Sequence, residues 1–299
     1  FVGASFRGAI VRLVRFNEGR IGILQGDMVH DVTAAIGLDA NAWPPVGMLQ
    51  LIRNFEALKY DLGDAARGPG VPLGEVRLLA PIVWPHNLFA YPVNYIAHQT
   101  EMASTHRADL NGYFLKATSS ISGPQDPIVL PDLPSREIHH ECELALIIGK
   151  AGRHISVDEA PDYVFGYSCL MDITVRGKEE RVMRKSYDTF TPIGPALVTA
   201  DEVGDPSDLD MKLWVNDELR QHASTRDLIV DIPNMVALAS SVSTLQPGDV
   251  IATGTPEGVG PIRGGDKVTI EIARVGRMTV PVVQGEGGDN LAIRKEDRT

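Results

Sequence analysis

The most constraining feature of this chain is an apolar run that has carboxylates at its entry. Residues 144–148 are all apolar and partly β-branched, and Gly149 follows them; this pattern predicts a strand buried on both faces. Because side chains alternate between the faces of a strand, Glu141 and Glu143 point to the same side, about 7 Å apart along the strand. Two like charges at the mouth of a buried strand repel each other unless a cation lies between them.

A third carboxylate ends a second apolar run. Residues 163–172 are largely apolar and end at Asp172. Two neighbouring buried strands that end at one edge would bring Asp172 to Glu141 and Glu143. Three carboxylates suit Mg²⁺ or Mn²⁺, whereas zinc favours nitrogen and sulfur ligands. The sequence therefore predicts a divalent-metal site, and the alternative is a solvated strand end.

The residues next to Glu141 and Glu143 in the sequence fall on different faces of the predicted strand. His139 shares the parity of the two glutamates, so it is a candidate ligand or a neighbour of the ligands. His140 and Cys142 fall on the opposite face, where we expect them in the core.

The E-x-E pair, the buried strand and an aspartate at this distance resemble the fumarylacetoacetate hydrolase superfamily over about residues 81–282. The resemblance implies an α+β fold: a rolled, mixed β-sandwich as catalytic domain (76–299) behind a small β-rich N-terminal domain (1–75). It also implies that the three carboxylates bind Mg²⁺ or Mn²⁺, and that the protein is a homodimer.

A second motif lies upstream of the carboxylates. His98 and Glu101 are spaced to share one helix face, where a carboxylate orients an imidazole and raises its basicity. Such a pair alone is more often a surface ion pair. Asn94 and Tyr95 complete the N-Y-x-x-H-x-x-E segment of the resemblance, which implies a lid whose His–Glu dyad activates water and in which Tyr95 contacts substrate. Pro92 and its neighbour replace the family's Gly-Leu.

The resemblance implies further substrate contacts. Lys116 ends an F-L-K segment and is implied to bind an anion, although an exposed strand-end lysine is the alternative. Arg176 is retained, but the segment after it is shorter than in the family. Glu179 stands where the family has a glutamine that helps to hold the substrate. The resemblance therefore says least about the identity of the substrate at this position.

Two more segments match the resemblance. Lys185 fits K-x-x-D-x-x-x-P-x-G-P, which implies a cation that stabilises an oxyanion; its alternative is a surface lysine, because Arg181 and Arg184 lie beside it. Thr255, in the T-G-T-P loop, is implied to contact a substrate carboxylate or carbonyl. The alternative is a tight turn between two strands, which would need the same glycines.

Composition limits which binding partners and which cellular location we expect. A net charge of −11 argues against nucleic acid and anionic membranes as partners, and no apolar run is long enough to cross a bilayer. The two cysteines lie in predicted buried strands, which favours a reduced, cytoplasmic protein. The first residues do not have the pattern of a signal peptide.

Periodicity and capping signals predict the remaining elements. We expect N-terminal strands in 7–16 and 21–32, a helix over 46–58, a linker at 61–74 and a helix that begins at the Ser156–Glu159 capping box. Further along, we expect a hairpin over 211–221, a helix over 232–242, and strands over 267–272 and 277–282.

Together with the three carboxylates and the His98–Glu101 pair, the resemblance implies a hydrolase that cleaves a carbon–carbon bond in an acylpyruvate-like 1,3-diketo acid through a metal-bound enolate, in the catabolism of aromatic compounds. The alternatives are decarboxylation of an oxaloacetate-like acid, or isomerisation of a 2-oxo diacid, on the same site. A metal-binding protein without turnover is the alternative outside enzymes.

Overall fold

The computed structural model describes residues 12–37, 39, 42–133 and 135–287. Within them the helices are α1 Gly47–Arg53, α2 Phe55–Ala65, α3 Ile96–Glu101, α4 Ala108–Asn111, α5 Arg181–Lys185, α6 Ala200–Val203 and α7 Ile232–Val242. The first ten strands are β1 Arg12–Phe16, β2 Arg20–Gln25, β3 Met28–Asp31, β4 Val71–Pro72, β5 Leu78–Leu79, β6 Leu88–Ala90, β7 Phe114–Leu115, β8 Ile121–Ser122, β9 Ile128–Leu130 and β10 Ile138–His140. The remaining strands are β11 Cys142–Ile148, β12 Val164–Met171, β13 Thr174–Val175, β14 Thr191–Thr199, β15 Asp210–Val215, β16 Glu218–Ser224, β17 Val250–Ala252, β18 Gly260–Pro261, β19 Lys267–Ile272 and β20 Gly276–Gln284.

Strands dominate, and in the described part of the chain they form three sheets, of which the two larger ones are mixed. The largest sheet has the order β4-β3-β2-β1-β14-β12-β11-β17-β6-β7, with β5 on β1 and β8 on β14. A second sheet has the order β16-β15-β19-β20-β9, and a small one joins β13, β10 and β18. Most pairs are antiparallel, whereas β17–β6, β14–β8 and β20–β9 are parallel. The α+β, β-rich fold predicted from the sequence is confirmed.

Strand β11 lies near the middle of the large sheet and separates two cores. Leu144 and Leu146 pack on one face, in a core that also contains apolar side chains of the second sheet. Ala145 and Ile147 pack on the other face, in a core shared with α1, α2 and the N-terminal strands. Every residue of β11 is buried. The prediction of a strand buried on both faces is therefore correct, because helices cover one face and a second sheet covers the other.

The N-terminal strands continue the large sheet. Strand β1 pairs with β14 through Arg12–Val198 and Leu13–Leu197. Residues 7–11 of the predicted first strand lie outside the described part of the chain. The boundary between residues 75 and 76 stays a prediction.

Three local predictions were wrong in extent. The helix expected over 46–58 is two helices that meet at Asn54, and α2 continues to Ala65 into the expected linker. The capping box forms its hydrogen bonds between Ser156 and Glu159. However, only the short 3₁₀ helix Ala160–Tyr163 follows, because β12 begins at the next residue.

Other predictions match closely. Helix α7 and strand β19 have the expected bounds, and Pro233 lies in the first turn of α7. The predicted hairpin is β15–β16. Along the described residues, no helix combines the length and the apolarity that a membrane crossing requires.

Candidate active site

The three predicted metal ligands meet at one edge of the large sheet. Strands β11 and β12 are antiparallel with Cys142 opposite Met171, so the entry of β11 faces the exit of β12. The Asp172 amide donates to the Glu141 carbonyl at 3.0 Å. One carboxylate oxygen each from Glu141, Glu143 and Asp172 lies within 4.8 Å of the others, and all three residues are buried.

Two buried lysines neutralise part of this negative charge. Lys185 Nζ donates to Glu141 Oε2 at 2.8 Å, to Asp172 Oδ2 at 2.7 Å and to Thr174 Oγ1 at 2.6 Å. Lys116 Nζ donates to Asp172 Oδ1 at 2.5 Å and to the Phe190 carbonyl at 3.1 Å. The predicted anion-binding Lys116 therefore binds a carboxylate of the protein itself.

These contacts set the protonation preferences of the cluster. Burial alone would raise the pKa of Glu141, but the charges of Lys185 and Arg176 outweigh it and lower that pKa. Burial raises the pKa of Glu143, and the charges of Asp172 and Glu141 add to the effect. Burial lowers the pKa of Lys116. For Lys185, the attraction of Asp172 and Glu141 exceeds the effect of burial and raises the pKa.

Glu143 is the carboxylate with the weakest compensation. Its Oε2 accepts a hydrogen bond from the Gly254 amide at 2.9 Å, from the loop that follows β17. No lysine or arginine among the described residues forms an ion pair with it, whereas Glu141 and Asp172 both have such partners. A divalent cation would supply the charge that this carboxylate lacks.

A cavity of about 500 Å³ opens over the cluster. The predicted residues that line it are His98, Glu141, Glu143, Asp172, Arg176, Lys185 and Thr255. The wall also contains two arginines of α5 and a histidine of the lid segment, namely Arg181, Arg184 and His106. Three carboxylates and several cations thus share one cavity, which suits a small anionic ligand together with a metal.

The His98–Glu101 pair is formed. His98 Nδ1 lies 3.0 Å from Glu101 Oε2 on α3, and the imidazole is buried. Because a carboxylate accepts, Nδ1 carries the hydrogen and Nε2 is left to accept a proton. Glu101 Oε1 also accepts from the Gly258 amide at 2.9 Å. Gly258 has φ +91°, and a Cβ there would lie 2.0 Å from the Arg220 carbonyl oxygen, so this contact requires glycine.

Arg176 keeps hydrogen-bonding capacity for a ligand. Its Nη2 lies 3.2 Å from Glu141 Oε1, but the angle does not make a hydrogen bond. Its Nε and Nη2 are buried and have no hydrogen-bond partner among the described residues. Buried donors of this kind are costly unless something accepts from them, and a carboxylate is the group that a guanidinium binds best.

Glu179, which replaces the family's glutamine, turns away from the cavity. Its Oε1 accepts from Arg136 Nη2 at 3.0 Å, and it does not line the cavity. Arg184 is held by the Glu179 and Val175 carbonyls at 2.9 and 3.2 Å. Arg181 contacts the face of Phe114, with Cζ 5.4 Å from the ring centroid, and has no ion-pair partner among the described residues.

Tyr95 is the predicted site residue that lies apart. It is 2% exposed, its hydroxyl is 3.6 Å from Met211 Sδ, and it does not line the cavity. Asn94 is also buried, and its amide binds the Val230 and Thr253 carbonyls at 3.0 and 2.8 Å. Both residues therefore fix the start of α3 in the core.

The histidines beside the ligands have other partners. His139 Nε2 lies 3.0 Å from Glu137 Oε2, and His139 is not part of the carboxylate cluster. His140 and Cys142 are buried, as predicted. Burial lowers the pKa of His140 to about 4, so the imidazole is neutral at physiological pH.

Two residues in or behind the cavity wall were not predicted from the sequence. Arg181 was noted only as part of a basic turn, because nothing local shows which side of α5 faces the cavity. Gln221, on β16, was assigned only to a hairpin. Its Nε2 donates to Thr255 Oγ1 at 2.8 Å, a contact between residues 34 positions apart that no local pattern indicates.

The chain is similar to known proteins along most of its length. Residues 87–283 match the family model described as fumarylacetoacetate (FAA) hydrolase C-terminal. The chain is 42% identical over 285 residues to a maleylpyruvate hydrolase of Aquipseudomonas alcaligenes, covering 91% of this chain and 99% of that one. It is 38% identical over 233 residues to a mitochondrial oxaloacetate tautomerase of Homo sapiens, covering 73% of each.

A solved structure has the same fold along nearly the whole chain. The crystal structure of maleylpyruvate hydrolase from Sphingobium sp. SYK-6 in complex with manganese(II) and pyruvate has a TM-score of 0.85 and 53% identity to this chain. The match covers 92% of this chain and 99% of that one.

The charge arrangement predicts opposite effects of two substitutions on the metal-free protein. Asp172→Asn removes the carboxylate partner of buried Lys116 and leaves Lys185 with Glu141 alone, so it should cost about 3–5 kcal/mol in the free energy of unfolding. Glu143→Gln removes a poorly compensated charge and should leave that free energy unchanged or higher. Both variants should lose the stabilisation by Mn²⁺, about 2.7 kcal/mol when the free ion is roughly a hundredfold above Kd.

Urea unfolding with chelator and with Mn²⁺ measures these effects. The exposed Glu218→Gln on β16 is the control and should behave as wild type in both conditions. Equal destabilisation of the metal-free protein by Asp172→Asn and Glu143→Gln would contradict the charge arrangement described above.

Proposed function

The chain belongs to the fumarylacetoacetate (FAA) hydrolase C-terminal family, and from this premise we propose that it is a divalent-metal-dependent hydrolase of acylpyruvates. One observation carries the proposal: the paired His98 lines the same cavity as the three clustered carboxylates. A metal site without turnover has no use for a base oriented in this way. The similar hydrolase of Sphingobium was crystallised with manganese and pyruvate, and pyruvate is a product of acylpyruvate cleavage.

Glu141, Glu143 and Asp172 would hold the ion. Their oxygens are buried and close together, and a set of three oxygens fits Mg²⁺ or Mn²⁺ better than zinc. When bound, the metal supplies Lewis-acid polarisation of the 2-oxo acid end of the substrate.

His98 then acts as the general base that activates the water. Its Nε2 takes a proton from a water molecule while Glu101 holds Nδ1. The hydroxide adds to the distal acyl carbonyl carbon, and the bond from that carbon to the neighbouring methylene breaks. The electron pair of this bond passes to the pyruvate half as an enolate, which takes a proton on its methylene carbon. One water is consumed, and a carboxylic acid and pyruvate are released.

The cationic side chains at the cavity stabilise the negative charge that develops on the substrate during this reaction. Lys185 uses its hydrogens on Glu141, Asp172 and Thr174, so it acts on the enolate through its charge rather than by a direct hydrogen bond. Arg176, with two free buried donors, is suited to the carboxylate of the 2-oxo acid.

A second candidate function is tautomerisation of an oxaloacetate-like acid, and the similarity to a human oxaloacetate tautomerase favours it. The same His98 would move a proton between carbon and oxygen, and no water would be consumed. Decarboxylation of such an acid likewise consumes no water in breaking its carbon–carbon bond. The incorporation of solvent oxygen separates these reactions from hydrolysis.

We expect the Mn²⁺-loaded protein, incubated with an acylpyruvate in ¹⁸O-water, to release an acid that carries one solvent oxygen from the cleavage. His98→Ala should lower kcat by about 10²- to 10⁴-fold, the usual worth of a general base, and should keep the stabilisation by Mn²⁺. Mass spectrometry of the products and urea unfolding check the two parts.

Oxaloacetate is assayed in parallel, and the exposed His154→Ala is the control variant. Enol–keto exchange or carbon dioxide release from oxaloacetate, without labelled acid from the acylpyruvate, would overturn the hydrolase proposal. Loss of Mn²⁺ stabilisation in His98→Ala would show that this histidine is a ligand.

The cavity wall predicts a preference for an acylpyruvate with a second carboxylate. Arg181 lies in the wall on Phe114 with no ion-pair partner among the described residues, and such a guanidinium suits a carboxylate at the far end of the substrate. Arg181→Gln should raise KM for maleylpyruvate about tenfold to a hundredfold. It should leave KM for acetylpyruvate, which has no distal carboxylate, nearly unchanged.

Steady-state kinetics with both substrates measures this preference. Arg53→Gln, at the exposed end of α1, should change neither KM. A similar rise of KM for both substrates in Arg181→Gln would show that Arg181 does not select the distal carboxylate.

The assembly and location follow from the sequence alone. The family resemblance supports a homodimer, and the cysteine usage supports a cytoplasmic location. Both stay predictions.

A further inference from the structure

Gln221 is a buried amide on an otherwise exposed strand. It is 1% exposed, while its neighbours Arg220 and His222 on β16 face solvent. Its side chain has four polar contacts within hydrogen-bonding distance, to the Cys142 amide, His140 Nδ1, Thr255 Oγ1 and the Pro256 carbonyl. A buried amide with all its partners present holds one orientation.

The partners determine which end of this amide is oxygen. The Cys142 backbone N–H can only donate, and it lies 3.0 Å from Oε1. The Pro256 carbonyl can only accept, and it lies 2.9 Å from Nε2. A flipped amide would place two donors together at Cys142 and two acceptors together at Pro256, so the orientation is fixed.

This orientation determines the polarity of the Thr255 hydroxyl. The second hydrogen of Nε2 donates to Thr255 Oγ1 at 2.8 Å, so the oxygen of that hydroxyl is an acceptor. Its own hydrogen has no other acceptor among the described residues. Thr255 is 2% exposed and lines the cavity beside Glu141 and Glu143, so this hydrogen is available to the cavity.

We infer that Gln221 is a positioning residue that fixes Thr255 as a hydrogen-bond donor to an oxygen of the bound 2-oxo acid. The inference rests on the proposed function for the nature of the ligand. Gln221 itself does not line the cavity and acts only through Thr255. A donor of fixed polarity favours a carboxylate or enolate oxygen over a ligand group that must itself donate.

Two substitutions at Gln221 test the inference. Gln221→Glu keeps the shape but replaces the donor with an acceptor, so the Thr255 hydroxyl should turn and donate to the new carboxylate. Gln221→Met removes the donor without adding an acceptor, and it serves if the glutamate variant does not fold. Oxalate, which resembles the enolate of pyruvate, is the probe, and its Kd is measured by calorimetry with Mn²⁺ present.

We expect Gln221→Glu and Thr255→Val each to weaken oxalate binding about tenfold, the worth of one hydrogen bond to a charged group. In the Thr255→Val background, Gln221→Glu should have no further effect, because no hydroxyl is left to orient. In the Thr255→Ser background, which keeps a hydroxyl, it should again weaken binding about tenfold.

A purely structural role gives different results. If the effects of Gln221→Glu and Thr255→Val multiply in the double variant, or if Gln221→Glu binds oxalate like wild type, the inference is wrong. Oxalate binding does not require turnover, so this result is independent of whether acylpyruvate is hydrolysed. A wild type that binds oxalate but incorporates no ¹⁸O would overturn the proposed function alone.

Discussion

The structure of this site depends on the compensation of buried charge where β11 begins and β12 ends. Glu141, Glu143 and Asp172 lie within 4.8 Å of one another in the protein interior, a placement that would be strongly unfavourable without nearby cations. Lys185 and Lys116 supply two of them. Their compensation is uneven, since Glu141 and Asp172 have ion-pair partners and Glu143 has mainly a backbone amide. This remaining deficit is the feature that favours a cation at the cluster over a closed network of ion pairs.

The scaffold delivers the parts of the site from several neighbouring elements. Strands β12, β11 and β17 are adjacent in the large sheet, and their ends at one edge carry Asp172, the two glutamates and the loop with Thr255. Because β11 is packed on both faces, the carboxylates are held by a rigid strand. Helix α3 adds His98 from outside the sheet, and Glu101 connects this helix to the glycine-rich loop by its hydrogen bond with Gly258. The proposed base, metal ligands and anion-binding groups therefore meet although they come from segments spread between His98 and Thr255.

The sequence predicted what depends on local patterns. The apolar run and the E-x-E pair predicted a doubly buried strand with carboxylates at its mouth, and α7 and β19 were predicted at their observed bounds. It did not predict the break between α1 and α2, because tertiary packing decides where a weakly patterned helix ends. Substrate contacts were predicted less well. Tyr95 is buried against Met211, and the spacing of residues in a motif does not show which of their side chains face the cavity. Gln221 and Arg181 depend on contacts between distant segments, which periodicity does not encode.

The central claim is that these three carboxylates hold one divalent ion against which a 2-oxo acid binds. The most direct test is a crystal structure with Mn²⁺ and oxalate, with the ion located by its anomalous scattering. We predict one ion, with oxygens of Glu141, Glu143 and Asp172 at about 2.0–2.3 Å and oxalate in the cavity beside Arg176 and Thr255. An anomalous peak elsewhere, with Asp172 still bound only to Lys116 and Lys185, would contradict the claim.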